Sequence, residues 1–74
     1  MPHISVMMYP GRDEATKEAI AKNLQAELMK TLNAPASVIS VSVEDIAPEN
    51  WNETIGAKVK SEDILIETDY VKKA

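Results

Sequence analysis

Two stretches of this chain alternate apolar and polar residues with a period of two, and the stretch between them repeats its apolar residues at helical spacing. Over residues 3–9, Ile4, Val6 and Met8 alternate with His3, Ser5, Met7 and Tyr9, the pattern of a half-buried strand. From Val38 to Glu44, Ile39, Val41 and Val43 share one face while Ser40, Ser42 and Glu44 share the other. Between them Ile20, Leu24, Leu28 and Leu32 recur with Ala21 alongside, which predicts an amphipathic helix. Strand, helix and strand in that order make a β-α-β unit, whose two strands run parallel through a right-handed crossover. The chain therefore reads as α+β, and its fold is constrained by what it lacks, because a two-stranded sheet is not stable alone.

With 74 residues the chain is expected to form a single domain spanning residues 1–74. Folding at this size buries only about 60–65% of the unfolded surface. Small domains are commonly reinforced by disulfides, metals or association. Cysteine is absent and His3 is the only histidine, so disulfides are excluded and no zinc-ligand set is legible. Association of identical chains is the expected remedy, a homo-oligomer whose neighbour extends the sheet.

The charge balance, twelve acids against eight bases for a net −4, opposes a nucleic-acid partner, whose footprint is basic. No apolar run approaches the roughly 18 residues of a membrane span, and residues 1–9 lack the basic region of a signal peptide. The expected location is cytoplasmic.

Local signals mark the element ends. Pro10-Gly11 reads as a turn. Asp13 reads as a helix N-cap, with Glu14 at the positive end of the helix dipole. Asp13–Lys17 and Glu18–Lys22 are spaced as i,i+4 ion pairs. Pro35 disfavours continuation of the helix, which is expected to end near Asn33. Farther on, Pro48-Glu49-Asn50 reads as a turn, and Gly56 is expected to break any helix begun near Trp51. Ser61-Glu62-Asp63 is a candidate cap for a short helix through Ile64, Leu65 and Ile66. The polar tail from Thr68 to Ala74 is expected to pack on a neighbour or to fray.

Three residues carry candidate chemistry. Pro2 follows Met1, and methionine is commonly trimmed before a small residue. Once exposed, the prolyl nitrogen is a cyclic secondary amine able to take a proton from carbon beside a carbonyl and return it elsewhere, a 1,3-proton transfer. Making that amine a base near neutral pH requires about 4 kcal/mol of differential interaction, which an apolar pocket and a nearby cation together supply. Arg12 is the sole arginine, placed at the strand–helix junction where a guanidinium can grip a carboxylate in a bidentate fashion. Trp51, the sole tryptophan in a chain without phenylalanine, can wall a pocket and stack on an aromatic substrate. Each also has an ordinary reading: a strand-starting proline, a solvated arginine, a packing tryptophan. Pro2 and Arg12 lie ten residues apart along an extended segment, up to about 30 Å. If both act on one substrate, they come from different subunits.

The start Pro2-His3-Ile4, the segment Pro10-Gly11-Arg12-Asp13-Glu14, Leu32-Asn33-Ala34-Pro35 and Pro48-Glu49-Asn50-Trp51 together resemble the 4-oxalocrotonate tautomerase family, over residues 2 to about 55. The resemblance implies the tautomerase-like β-α-β fold completed by oligomerisation. It also implies Pro2 as general base and acid, Arg12 as the carboxylate-binding arginine and Trp51 as an aromatic residue lining the site. The family's founding enzymes carry a further arginine where this chain has Ser40, a substrate-binding position. That departure points away from dicarboxylates and toward a 2-keto acid enol such as phenylpyruvate. The segment around Trp51 and the tail are similar to the bacterial phenylpyruvate tautomerase subgroup, which implies a dimer ahead of a hexamer and a small-molecule substrate, with no cofactor. A dehalogenase or decarboxylase of the same superfamily is the alternative, and a non-catalytic binding subunit with this fold another.

Overall fold

A computed structural model describes residues 1–69, 71 and 72. The order is β1 (His3–Met8), α1 (Glu14–Leu32), β2 (Ser40–Asp45) and α2 (Trp51–Lys58), with single 3-10 turns at Ala36–Val38, Pro48–Asn50 and Ser61–Asp63. β1 and β2 pair in parallel, from His3 opposite Ser40 to Met8 opposite Asp45. The expected strand–helix–strand unit is therefore present, and among the described residues the sheet has these two strands. The second strand starts later than the alternation suggested. The Val38 N–H reaches Pro35 O at 3.2 Å and the Ile39 N–H reaches Ala36 O at 3.1 Å, so Ala36–Val38 is spent on a turn that aims the chain into the sheet.

Both ends of α1 obey their sequence signals. The Asp13 side chain accepts the Thr16 N–H at 2.8 Å, and this bond holds the Asp13 carboxyl below the ordinary aspartate value of 3.8. At the other end Asn33 takes the left-handed conformation, φ 53° and ψ 50°, which asparagine tolerates and which closes the last turn. Gly11, at φ 127°, accepts the positive φ that the turn after β1 demands.

The buried side of α1 differs from the expected row. Lys17, Ile20, Ala21, Gln25, Leu28 and Met29 are half-buried, whereas Leu24 and Leu32 are exposed. The cause is not rotational: at about 100° per residue both leucines fall within the arc of the half-buried positions, and it is the cover from a two-stranded sheet that stops short of them. The ion pairs differ too. Because the Asp13 carboxylate caps the helix, Lys17 bonds Asp45 at 2.8 Å across to β2, and that hydrogen bond raises the lysine above its ordinary 10.5. Among the described residues Glu18 and Lys22 form no ion pair. Gln25 also ties α1 to the sheet, donating to Ala36 O at 3.2 Å and Ile39 O at 3.0 Å. The core is small: among the described residues only Ile39 and Ile46 are fully buried, each 5% exposed.

Two expectations for the second half are corrected. Gly56 does not break its helix; α2 runs through it to Lys58, and the Val59 N–H closes on Ile55 O at 2.8 Å. A mid-helix glycine costs about 1 kcal/mol, which weakens a helix without forbidding it. No helix forms through Ile64–Ile66. Ser61–Asp63 makes one 3-10 turn, Ile64 turns extended, and Leu65 and Ile66 stand 89% and 87% exposed. A short helix there has nothing in its own chain to bury against, and its nucleation is unfavourable. Within the tail, the Thr68 N–H donates to Val71 O at 3.0 Å and the Val71 N–H to Thr68 Oγ1 at 3.1 Å, which closes a local turn. The expectation for Tyr70, Lys73 and Ala74 lies outside the described residues.

Two stability predictions follow from these contacts. Gln25→Ala leaves the Ile39 carbonyl without its side-chain donor and is expected to destabilise by about 1–3 kcal/mol in urea unfolding. Asp13 has a folded pKa depressed below 3.8, so its stabilisation is complete above that value and is lost as pH falls below it through the folded pKa. The Tm gap between wild type and Asp13→Ala is expected to narrow below pH 3.8, while Asp13→Asn, still a cap, shows less pH dependence than wild type there.

Candidate active site

β1 ends at Met8 and the chain bends at Pro10 toward the first turn of α1. Arg12 leaves from this junction. The Ile46 N–H bonds Met8 O at 2.8 Å, so the end of β2 is held against the end of β1, and the turn Pro48–Asn50 starts α2 with Trp51 at its first position. Tyr9 and Trp51 meet there with ring centroids 5.2 Å apart and planes at 88°, the edge-to-face arrangement favoured by aromatic quadrupoles. Thr68 and Val71 approach from the tail. Together Met7, Met8, Tyr9, Arg12, Trp51, Thr68 and Val71 line a cleft of about 580 Å³.

The cleft is apolar in its body and rich in donors. Among the described residues Arg12 has no carboxylate partner, whereas Lys17, Lys30 and Lys58 each pair with an acid. Neither the Tyr9 hydroxyl nor the Trp51 indole N–H has a hydrogen-bond partner among the described residues. A guanidinium facing aromatic and thioether walls is suited to an organic acid: the charge holds the carboxylate and the walls take the apolar remainder.

Of the residues singled out from sequence, the structure brings Arg12 and Trp51 into this cleft and leaves Pro2 and Ser40 outside it. Those two sit together at the opposite end of the sheet, where the Ser40 N–H donates to Pro2 O at 3.2 Å. The Ser40 hydroxyl lies 2.7 Å from His3 Nδ1, and Ser42 Oγ lies 3.0 Å from His3 Nε2, so the imidazole bridges both serines on the exposed face of the sheet. β1 separates Pro2 from Tyr9 by about 23 Å at ~3.3 Å per residue. Sequence reasoning missed Tyr9, Met7, Met8, Thr68 and Val71 as lining residues. Tyr9 had a signal available, a bulky aromatic at the last position before the turn that carries Arg12. Thr68 and Val71 had none, since only the fold returns the tail to this end.

Known proteins with related sequences bear on this arrangement. The family model described as tautomerase enzyme matches residues 2–62. A probable tautomerase of Xylella fastidiosa (strain 9a5c) is 36% identical over 55 residues, covering 74% of this chain and 67% of the relative. Tautomerase PptA of Escherichia coli O127:H6 is 35% identical over 60 residues, 80% of each chain. Among solved structures, TomN, a 4-oxalocrotonate tautomerase homologue in the tomaymycin biosynthetic pathway, superposes with a TM-score of 0.64 at 28% identity, over 80% of this chain and 100% of TomN.

The ring pair is testable by a double-mutant cycle. Tyr9→Leu and Trp51→Leu, singly and together, are expected to reveal a coupling of about 0.5–1.5 kcal/mol in urea unfolding, and Tyr9→Phe is expected to retain it.

Proposed function

This chain belongs to the tautomerase family, and from that premise we propose that it interconverts the keto and enol forms of a 2-keto acid such as phenylpyruvate, with Pro2 carrying the proton. The observation that supports this reading best is the unpaired Arg12 in an aromatic-walled cleft. A phenylpyruvate-sized acid suits it, with the carboxylate on the guanidinium and the ring against Trp51. In the keto-to-enol direction the Pro2 amine takes a proton from C3. The C3–H electron pair becomes the C2=C3 bond, the C2=O π pair moves to oxygen, and that oxygen takes the proton back from the prolinium. One proton moves and nothing is oxidised or reduced.

This chemistry has two requirements. Met1 must be removed, because while it is attached the Pro2 nitrogen is an amide without useful basicity; Met1 is 99% exposed and open to an aminopeptidase. Pro2 must also reach a cleft that its own subunit holds at the other end of β1. A neighbouring copy supplies it, in a homo-oligomer for which a dimer is the simplest arrangement. The Arg12 charge beside the entering amine then disfavours the prolinium and makes Pro2 a better base. Ser40, beside Pro2, joins the substrate-binding side of the shared site.

The test follows ketonisation of phenylpyruvate enol by ultraviolet absorbance, with intact mass establishing that Met1 is gone. Pro2→Ala is expected to lose most of kcat; full retention would sink the base assignment. Arg12→Ala is expected to raise KM by about 10- to 100-fold, and an unchanged KM counts against its role. Mixing the two impaired variants under subunit exchange, assayed at substrate well below the KM of Arg12→Ala, is expected to restore about a quarter of the sites in a dimer, because one heterodimer interface joins an intact Pro2 to an intact Arg12. No recovery would place both residues in one subunit.

A further inference from the structure

Keto–enol exchange builds charge on one atom, the oxygen on C2. A donor aimed at that atom stabilises the transition state more than the ground state. C2 is bonded directly to the carboxylate carbon, so with the carboxylate on Arg12 the donor must stand beside Arg12. The Ser40 hydroxyl is engaged with the His3 ring at 2.7 Å, and Thr68 reaches the cleft from the tail, where it accepts the Val71 N–H, rather than from the turn that carries Arg12. The remaining neutral donors lining the cleft are the Tyr9 hydroxyl and the Trp51 indole N–H.

We propose that Tyr9 donates to the C2 oxygen and thereby selects acids that carry oxygen at that carbon. Tyr9 precedes Arg12 by three residues around the Pro10–Gly11 bend, so its hydroxyl and the guanidinium serve neighbouring atoms of one ligand. Its ring is braced perpendicular to Trp51 at 5.2 Å, which limits where the hydroxyl can point. That hydroxyl has no partner among the described residues. A phenol O–H is a far stronger acid than an indole N–H, so its bond strengthens more as the C2 oxygen gains charge. Trp51 is left as the wall and the brace. A cleft built to satisfy a C2 oxygen leaves a donor unpaired when that oxygen is missing, and so discriminates against acids that lack it.

This assignment rests on the cleft being the acid-binding site but not on Pro2 being the base, and the two are separable by binding. Trp51 is the sole tryptophan, so its emission reports on the cleft. The full chain is titrated with 3-phenyllactate, which has oxygen at C2, and with 3-phenylpropanoate, which does not. Wild type is expected to bind phenyllactate about 10-fold more tightly. Tyr9→Phe, which keeps the ring contact, is expected to abolish that preference with phenylpropanoate affinity unchanged, and Arg12→Ala to weaken both acids while keeping the ratio. In ketonisation Tyr9→Phe is expected to lower kcat by about 100-fold. A wild-type preference that survives in Tyr9→Phe, or equal binding of the two acids by wild type, overturns the Tyr9 assignment alone. Failure of wild type to bind either acid overturns it together with the acid-binding reading. A Pro2→Ala variant that keeps its rate while the Tyr9-dependent preference holds defeats only the base.

Discussion

The parallel pairing of β1 with β2 governs everything else in this molecule. Parallel strands put both of their starts at one end of the sheet and both of their ends at the other. Pro2 and Ser40 are therefore neighbours, joined by the bond from the Ser40 N–H to Pro2 O, while Met8 and Ile46 are neighbours at the far end. The 19-residue helix α1 makes this pairing possible by spanning the length of the sheet between them. Lys17 and Gln25 then pin the helix to β2 and to its approach. The consequence for chemistry is a division: the candidate base stands at one end of the sheet and the Arg12 cleft at the other. In the proposed mechanism a second copy of the chain brings the two ends together, and the same second copy completes a sheet too small to stand alone.

The cleft end illustrates how a small acidic protein can hold an anion. Its net charge is −4, which does not favour organic acids at long range. Locally the cleft offers a positive charge, since Arg12 has no acidic partner among the described residues while Lys17, Lys30 and Lys58 are paired with Asp45, Glu27 and Glu44. The guanidinium is not spent on structure. The perpendicular Tyr9–Trp51 pair beside it contributes apolar wall and hydrogen-bond donors from the same two side chains.

Much of the fold was legible because its signals are local. Alternation marks β1, Asp13 and Asn33 mark the ends of α1, and Gly11 marks the turn; in each case one residue's own stereochemistry decides the outcome. The readings that failed depended on context. Leu24 and Leu32 look like core by spacing and lie on the packing face, yet a sheet of two strands does not extend far enough to cover them. Gly56 looks like a breaker, yet α2 tolerates its modest cost. Ile64, Leu65 and Ile66 look like part of a helix, yet no face of their own chain is there to receive one. The site divides in the same way. Arg12 and Trp51 drew notice as the only residues of their kinds. Tyr9 did not, because its importance lies in the ring and the guanidinium it stands beside.

The order of elements, the candidate base at Pro2, the lone arginine at a strand–helix junction and the family to which the chain belongs were all written in the residues themselves, since each depends on local periodicity, residue chemistry or motif. The tertiary structure alone decided that Arg12, Tyr9, Trp51, Thr68 and Val71 line one cleft and that Pro2 and Ser40 do not. That outcome turns on which strand ends meet and where the tail returns, and these are set by pairing and packing between segments as far apart in the chain as Met7 and Val71, over which no local pattern has any hold.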